Sequence, residues 1–300
     1  MTIEFRPLHP LFAAEVQGVD TAAPVDDETL RTLWEGIDRY AVLVIPGQKL
    51  SADQEVEFAG RFGELETYAH SYRGGEQPRH RLEIADQSNL DADDRLREQQ
   101  DRRRFRSLAN RLWHTDSSFR RIPGALSMLH AHVVPPSGGE TEFADLRAAY
   151  DELPAALKGQ IEHLVAEHEY AYSRAKIGFG DFNADERSAL PPVVQRVVRT
   201  HPGSKRKTLY LASHASHVLG MAVPEGRMLL LDLIEHATQP PFVYRHAWRV
   251  GDLVIWDNRC TMHRGRPYDD TRHVRDLRRV TTCDVASTLD QEPIPLPLPA

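Results

Sequence analysis

His114 and Asp116 stand two residues apart in the stretch WHTDSSF, residues 113–119. An imidazole and a carboxylate are two ligands for one metal ion if both face the same point. The run reads as a strand, and alternate residues of a strand share a face. Composition alone offers a competing explanation, because the chain has fifteen histidines. His114 is nevertheless the only one followed two residues later by Asp or Glu. A second histidine would complete a set of two imidazoles and one carboxylate. That donor set suits a non-heme Fe(II) and leaves positions open for a substrate and for oxygen.

The second histidine must come from far along the chain. His263, in LVIWDNRCTMHRGRPYD, lies just beyond a buried-looking strand, where loops on a rigid scaffold carry functional groups, and it is the best candidate. His130 and His132 in SMLHAHVV share a strand face, but buried imidazoles usually only hydrogen-bond. His201 competes too, as do His214 and His217 in SHASHV. The last pair could line a substrate pocket, although a solvent-facing loop is the default for both.

A third feature is the run RDLRRVTTCDV. Read as a strand, it places Arg275, Leu277, Arg279, Thr281 and Cys283 on one face. Two guanidinium groups four residues apart are separated by roughly 13 Å of backbone. They are too far apart to share one carboxylate near the chain, but two long side chains can hold two separate anions in one cavity. Arginine is the residue suited to bidentate carboxylate binding. The plain alternative is a surface ladder of ion pairs.

These residues need a scaffold, and the remaining pattern describes one. A strand is expected over Phe12–Val19, then an amphipathic helix with Leu30, Leu33, Trp34 and Ile37 on one face. AVLVIPG follows as a buried strand. Ser51 opens a second helix, with Gln54 in capping-box position and Phe58, Ala59 and Phe62 on its apolar face. Residues 113–134 look strand-like with a turn at Pro123-Gly124, and PPSGGETEF leads into another strand. Helices are expected at 145–152 and 154–166, a hairpin turned at Gly203-Ser204, a helix at PEGRMLLLDLIEHAT, and strands at FVYRHAWRV and DLVIWDN. Two polar segments, 86–110 and 173–192, lack a clear period and are candidate lid loops. The proline-rich stretch 286–300 is expected to be an extended tail. No composition break marks a boundary, so residues 1–300 read as a single domain, mainly β with flanking helices.

Composition excludes several other classes. A formal charge of −7 argues against a nucleic-acid partner. The N-terminus has no basic stretch followed by a long apolar one, and the longest apolar runs are too short to cross a bilayer. Cys260 and Cys283, the only cysteines, suggest a reducing compartment, so a cytoplasmic protein with no membrane partner is expected.

The stretches WHTDSSF, GGETEF, WDNRCTMHRG and RDLRRVTT, in that order and spacing, resemble the taurine/aryloxyalkanoate dioxygenase family. The likeness extends over nearly the whole chain. It is strongest toward the aryloxyalkanoate branch, through RPLHPLFAA, VVPPSGGETEFADLRAAYDELP and HASHV. It implies a double-stranded β-helix, or jelly-roll, core. It implies Fe(II), with 2-oxoglutarate and O2 as cosubstrates. His114, Asp116 and His263 match the family's metal triad. Thr141 and Arg275 match the residues that hold the distal carboxylate of 2-oxoglutarate. Arg279 matches the arginine that holds the substrate anion, and Asn110 an asparagine near the substrate. Ser117, His214 and His217 complete the expected substrate contacts. The stretch between His263 and Arg275 is one residue longer than usual in the family, which lets Arg272 compete for the cosubstrate; the R-x-x-x-R-x-T run favours Arg275.

The implied reaction is hydroxylation of the OCH2 carbon of an aryloxyacetate such as 2,4-dichlorophenoxyacetate, giving a phenol and glyoxylate with succinate and CO2. The expected partner is therefore a small anionic aromatic substrate, and the family's habits allow a homo-oligomer. The alternatives are the same chemistry on a sulfonate or another small carboxylic acid, a metal-binding jelly-roll without turnover, and a zinc hydrolase. The last would need a general base beside the metal water, and no such carboxylate stands out.

Overall fold

The computed structural model describes residues 2–68, 77–180 and 182–291. The chain begins with strands β1 (Glu4–Pro7) and β2 (Ala14–Gln17), helix α1 (Asp27–Tyr40), β3 (Val42–Ile45), α2 (Ala52–Gly60) and β4 (Ile84–Asp86). It continues with α3 (Arg102–Ser107), β5 (Gly124–Val133), β6 (Thr141–Asp145), α4 (Leu146–Asp151), α5 (Ala155–Ile161), β7 (Val165–His168), α6 (Tyr170–Ala175) and α7 (Ala184–Ala189). The second half has β8 (Val193–Arg196), β9 (Val198–Thr200), β10 (Lys207–Leu209), β11 (Ala215–Val218), α8 (Val223–Ala237), β12 (Val243–His246), β13 (Leu253–Asp257), β14 (Thr261–Gly265) and β15 (Asp276–Cys283).

Local chemistry starts the two N-terminal helices as the pattern predicts. Asp26 caps α1 by accepting from the Thr29 amide. Ser51 and Gln54 exchange side-chain and backbone bonds in a complete capping box on α2. Both helices lie on one side of a seven-stranded sheet, ordered β1-β2-β3-β13-β5-β15-β4. Leu33, Ile37 and Phe58 pack there against Leu126, Met128, Ile255 and Val280. Alternate residues of the same strands, Leu129, Val254, Trp256 and Leu277, point to the other side and meet Phe143. Phe143 belongs to a three-stranded sheet, β12-β6-β14. Its far side, with Met262, packs against Leu146 of α4 and Leu230 and Leu233 of α8. Two sheets therefore face each other with helices outside. Smaller sheets, β11-β7-β8 and β9-β10, flank them. The mainly-β reading with flanking helices agrees with this architecture.

Several expectations are corrected. Residues 113–119 are not a regular strand: Ser117 adopts a left-handed φ of 55°, which turns the chain, and His114 makes only an isolated bridge to His263. The strand starts at Gly124. Segments 86–110 and 173–192 contain regular structure. The first holds α3 and a 3-10 turn over Leu108–Arg111, and the second continues α6 and holds α7. Its alternating charges hide short capped helices: Asn183 and Glu186 form a capping box on α7. Of the expected tail, residues 292–300 lie outside the described residues. The part before them turns back, with Thr288 buried and donating to Gln195 Oε1 at 2.6 Å. β1 and the histidine-bearing β14 were not foreseen. Both are only four or five residues long, and TMHRG is too polar to read as a buried strand.

Candidate active site

Three elements bring the predicted ligands together at one end of the space between the sheets. His263 projects from β14, and the chain 114–116 runs beside it, with the amides of His114 and His263 bonded to each other's carbonyls at 3.0 and 2.8 Å. The two imidazole centroids are 4.2 Å apart. His114 Nε2 lies 3.8 Å from one Asp116 oxygen and His263 Nε2 lies 3.7 Å from the other. One ligand atom from each residue lies within 4.8 Å of the others, and all three residues are buried. Ligands around one first-row ion at about 2.0–2.2 Å must stand roughly 3–4 Å from each other, so this spacing accommodates an ion.

The protonation states suit that role. Burial pulls the His114 imidazole below its ordinary pKa, and it holds His263 well below. Both rings are thus neutral near pH 7, as metal ligation requires. His114 Nδ1 sits 2.8 Å from the Leu112 carbonyl, which places the proton on Nδ1 and leaves Nε2 as the donor atom. Asp116 would be pushed up by burial, but the Arg279 guanidinium beside it holds it down to about 2. Its carboxylate also accepts from Ser127 Oγ at 2.8 Å, and its amide donates to Asn258 Oδ1 at 3.1 Å. Asn258 in turn donates to Ser127 and accepts from Trp256 Nε1. This support was not foreseen; the WDN triplet after a buried strand was its only trace in the sequence.

The cluster opens onto two cavities of ≈ 140 and ≈ 120 Å³ that share His114, Asn110 and Arg279. The first is lined by His263, Thr141 and Arg275. The GG turn before Thr141 brings this wall close: Gly138 has φ +74°, and a Cβ there would fall 2.5 Å from the Pro267 carbonyl. Thr141 Oγ1 accepts from Trp248 Nε1 at 3.0 Å. The Arg275 guanidinium donates to backbone carbonyls, Gly139 at 3.3 Å and Gln87 at 3.5 Å, and among the described residues no carboxylate pairs with it. Burial lowers its pKa, so an anion delivered to it would relieve a real penalty. Arg272, the rival, has a side chain 80% exposed and lies against Asp269.

The second cavity carries Asp116, Ser117, Phe119, Tyr170, Arg174 and His214 among its walls. Phe119 stands 4.8 Å from both the Tyr170 and the His214 rings, and His214 stands 6.2 Å from His114. His214 is only 2% exposed, so the solvent-facing expectation for it is wrong; the aromatic packing around it excludes water. His217 is not brought to the site. It lies on β11, half-buried, 3.6 Å from Glu167. Ser117 donates to the buried Glu66 at 2.7 Å, a carboxylate unnoticed in the sequence that burial pushes upward. Asn110 donates to Gln87 Oε1 at 3.2 Å. Arg279 is already bonded to Asp116 through one terminal nitrogen, while its Nε has no partner among the described residues. The two polar segments meet over this region: Arg102 donates to Glu186 at 2.8 and 2.9 Å, and Phe105 packs on Phe179 with centroids 5.8 Å apart.

The remaining candidates, His130, His132 and His201, are engaged in hydrogen bonds of their own. His130 and His132 bond to Glu55, and His201 bonds to Asp257 and Ser204.

Comparison with known proteins adds independent findings. A family model described as the taurine catabolism dioxygenase TauD, TfdA family matches residues 4–281. The chain is 49% identical over 286 residues to an alpha-ketoglutarate-dependent 2,4-dichlorophenoxyacetate dioxygenase of Cupriavidus pinatubonensis, covering 95% of this chain and 99% of that protein. It is 47% identical over 282 residues to a protein of the same description from Burkholderia sp. strain RASC, covering 94% of this chain and 95% of that protein. Among solved structures, AAD-2 in complex with Mn(II) and N-oxalylglycine superposes with a TM-score of 0.89 at 46% identity, covering 96% of this chain and all of that one.

Proposed function

This chain belongs to the taurine catabolism dioxygenase TauD, TfdA family, and from that premise we propose that it is an Fe(II)- and 2-oxoglutarate-dependent dioxygenase whose primary substrate is an aryloxyacetate such as 2,4-dichlorophenoxyacetate. The OCH2 carbon is hydroxylated, and the resulting hemiacetal collapses to a phenol and glyoxylate, while 2-oxoglutarate leaves as succinate and CO2. One observation carries the reading. Three buried ligand atoms with ion-sized spacing open onto a cavity whose wall holds Arg275, a cation without a carboxylate partner among the described residues.

Fe(II), when bound with 2-oxoglutarate and O2, supplies the oxidising chemistry. The chain's own residues do the rest. His114, Asp116 and His263 present two neutral imidazoles and one carboxylate to the metal. Ser127 and Asn258 fix the carboxylate's orientation, so the ligand geometry is set before loading. Arg275 and Thr141 take the distal carboxylate of 2-oxoglutarate. The Phe119, Tyr170 and His214 walls accept an aromatic ring. Segments 86–110 and 173–192 cover that ring and exclude water. We read the two facing sheets as a double-stranded β-helix forming a single dioxygenase domain. The cysteines are free, which fits a cytoplasmic location, and among the described residues no helix is long and apolar enough to cross a membrane.

The test is a substrate panel with succinate and glyoxylate measured together. Aryloxyacetates are expected to release both in equal amounts. A panel in which sulfonates drive succinate release and aryloxyacetates do not would move the substrate to the sulfonate branch.

A further inference from the structure

The second cavity has an imbalance of charge that the metal cluster does not explain. Among the described residues four arginines line it, Arg103, Arg106, Arg174 and Arg279, against two carboxylates, Asp86 and Asp116. The carboxylates are committed: Asp116 bonds Arg279, and Asp86 lies 3.9 Å from Arg103. Arg106 is half-buried and feels the charge of Glu186. Arg174 differs from the others. It is 8% exposed, it makes no ion pair among the described residues, and its Nε is buried without a hydrogen-bond partner. Its NH1 donates to Ser173 Oγ at 2.9 Å, its guanidinium lies 4.1 Å over the Tyr170 ring, and it also hydrogen-bonds the Tyr170 hydroxyl. That phenol attracts it, whereas the charges of Arg106 and Arg279 repel it. A buried guanidinium in a cationic wall needs an anion, and the donor geometry of arginine selects a carboxylate.

We infer that Arg174 is a substrate-binding residue that receives the carboxylate of the aromatic acid in this cavity, sharing the task assigned by resemblance to Arg279. The inference rests on the function proposed above and sharpens it. Tyr170 links the two ends of the site: one face carries the Arg174 guanidinium, and its ring stacks on His214 at 6.1 Å and meets Phe119 edge-on at 4.8 Å. The acid end and the ring end of one molecule thus find neighbouring partners beside His114 and Asp116. That adjacency suits the chemistry, because in an aryloxyacetate the reacting carbon is bonded directly to the carboxylate. Arg279 alone is poorly placed to do this work, since one of its arms is bound to the metal-ligand carboxylate.

The test compares an acid with its neutral analogue. Anaerobic Fe(II)- and 2-oxoglutarate-loaded protein is titrated calorimetrically with 2,4-dichlorophenoxyacetate and with 2-(2,4-dichlorophenoxy)ethanol, for wild type, Arg174→Gln and Arg174→Lys. The glutamine variant should bind the acid at least about 10-fold more weakly, as expected for the loss of a charged hydrogen bond. Its affinity for the alcohol and for 2-oxoglutarate should stay within about 2-fold of wild type. The lysine variant should fall between the two. Equal losses for acid and alcohol would show a structural role and overturn the inference, as would unchanged binding of the acid. If Arg174→Gln does not fold, Arg174→Lys decides the matter: an acid-selective loss supports the assignment, and no loss or an unselective one refutes it. A wild type that binds aryloxyacetates but releases no succinate from them would sink the proposed function and leave the Arg174 result readable.

Discussion

Two clusters in this molecule use the same residue types and do opposite things with them. His114, Asp116 and His263 hold their facing atoms 3.7–3.8 Å apart. Glu55, His130 and His132 hold theirs at 2.7–2.8 Å. In the second cluster one carboxylate oxygen accepts from both imidazoles, and His130 Nε2 also reaches the Gln48 carbonyl at 3.2 Å. Those distances are finished hydrogen bonds, with no room for an ion between the partners. In the first cluster the gaps are too long for hydrogen bonds and match the span of a coordination sphere. Residue identity nominates both clusters; the spacing between donor atoms separates them, and the first has room for an ion.

The largest expected effect breaks the first cluster. Asp116→Ala should abolish stoichiometric Fe(II) binding and lower turnover more than about 100-fold, beyond the usual loss for a residue that only supports a ligand. Calorimetry with Fe(II) under nitrogen and a succinate assay check both. Retained metal binding in that variant would erase the distinction between the clusters.

The matching change in the second cluster is Glu55→Gln. It should destabilise the fold by about 3 kcal/mol, since breaking a buried charged network leaves an uncompensated group. Metal stoichiometry should not move. Urea denaturation and metal analysis separate the outcomes, and a lost equivalent of metal would mean that this cluster also holds an ion.

A third change sharpens the contrast by charge rather than spacing. Among the described residues Arg275 has no carboxylate partner, whereas the imidazoles around Glu55 are paired with it. Arg275→Gln should weaken 2-oxoglutarate binding about 10- to 100-fold and leave Fe(II) affinity near wild type. Unchanged 2-oxoglutarate affinity would remove Arg275 from the cosubstrate's place.

The smallest effect concerns a third closed network. Burial would lower the pKa of His201, but Cys260 and Asp257 raise it to about 9. The unfolded chain titrates this group near 6.5. The bonus from its charged form is therefore complete below about pH 6.5 and is lost as pH rises through about 9. The thermal midpoint of metal-free protein should fall by a few degrees across that window. His201→Gln should flatten that part of the profile. A profile that rises from pH 6.5 to 9 in wild type would contradict the sign.

Much of this arrangement was legible in the chain because it is carried by short-range rules. The capping box at Ser51 and Gln54 is local, and so is the alternation that sends Leu277 and Arg279 to one face of β15, with Arg275 just before its start. The pairing of His114 with Asp116 was found for a partly wrong reason. The two converge at a turned corner bonded to β14 rather than along a strand, because Ser117 takes a left-handed conformation that no local pattern announces. The second cavity leaves the least trace in the sequence. Phe119, Tyr170 and His214 come from a turn, a six-residue helix and a loop, so no period connects them. Arg174 lies near the start of the expected lid loop 173–192, where no period marks which side chains turn inward, and the folded chain buries it.

The central claim is that His114, Asp116 and His263 hold one ferrous ion beside a 2-oxoglutarate carboxylate taken by Arg275. An anaerobic titration reads it directly: one equivalent of Fe(II) is added, then 2-oxoglutarate, while the visible spectrum is followed. A metal-to-ligand charge-transfer band should grow in, saturate at one ion per chain, and be absent from His263→Ala. No band in the wild type, or an undiminished band in that variant, would contradict the account.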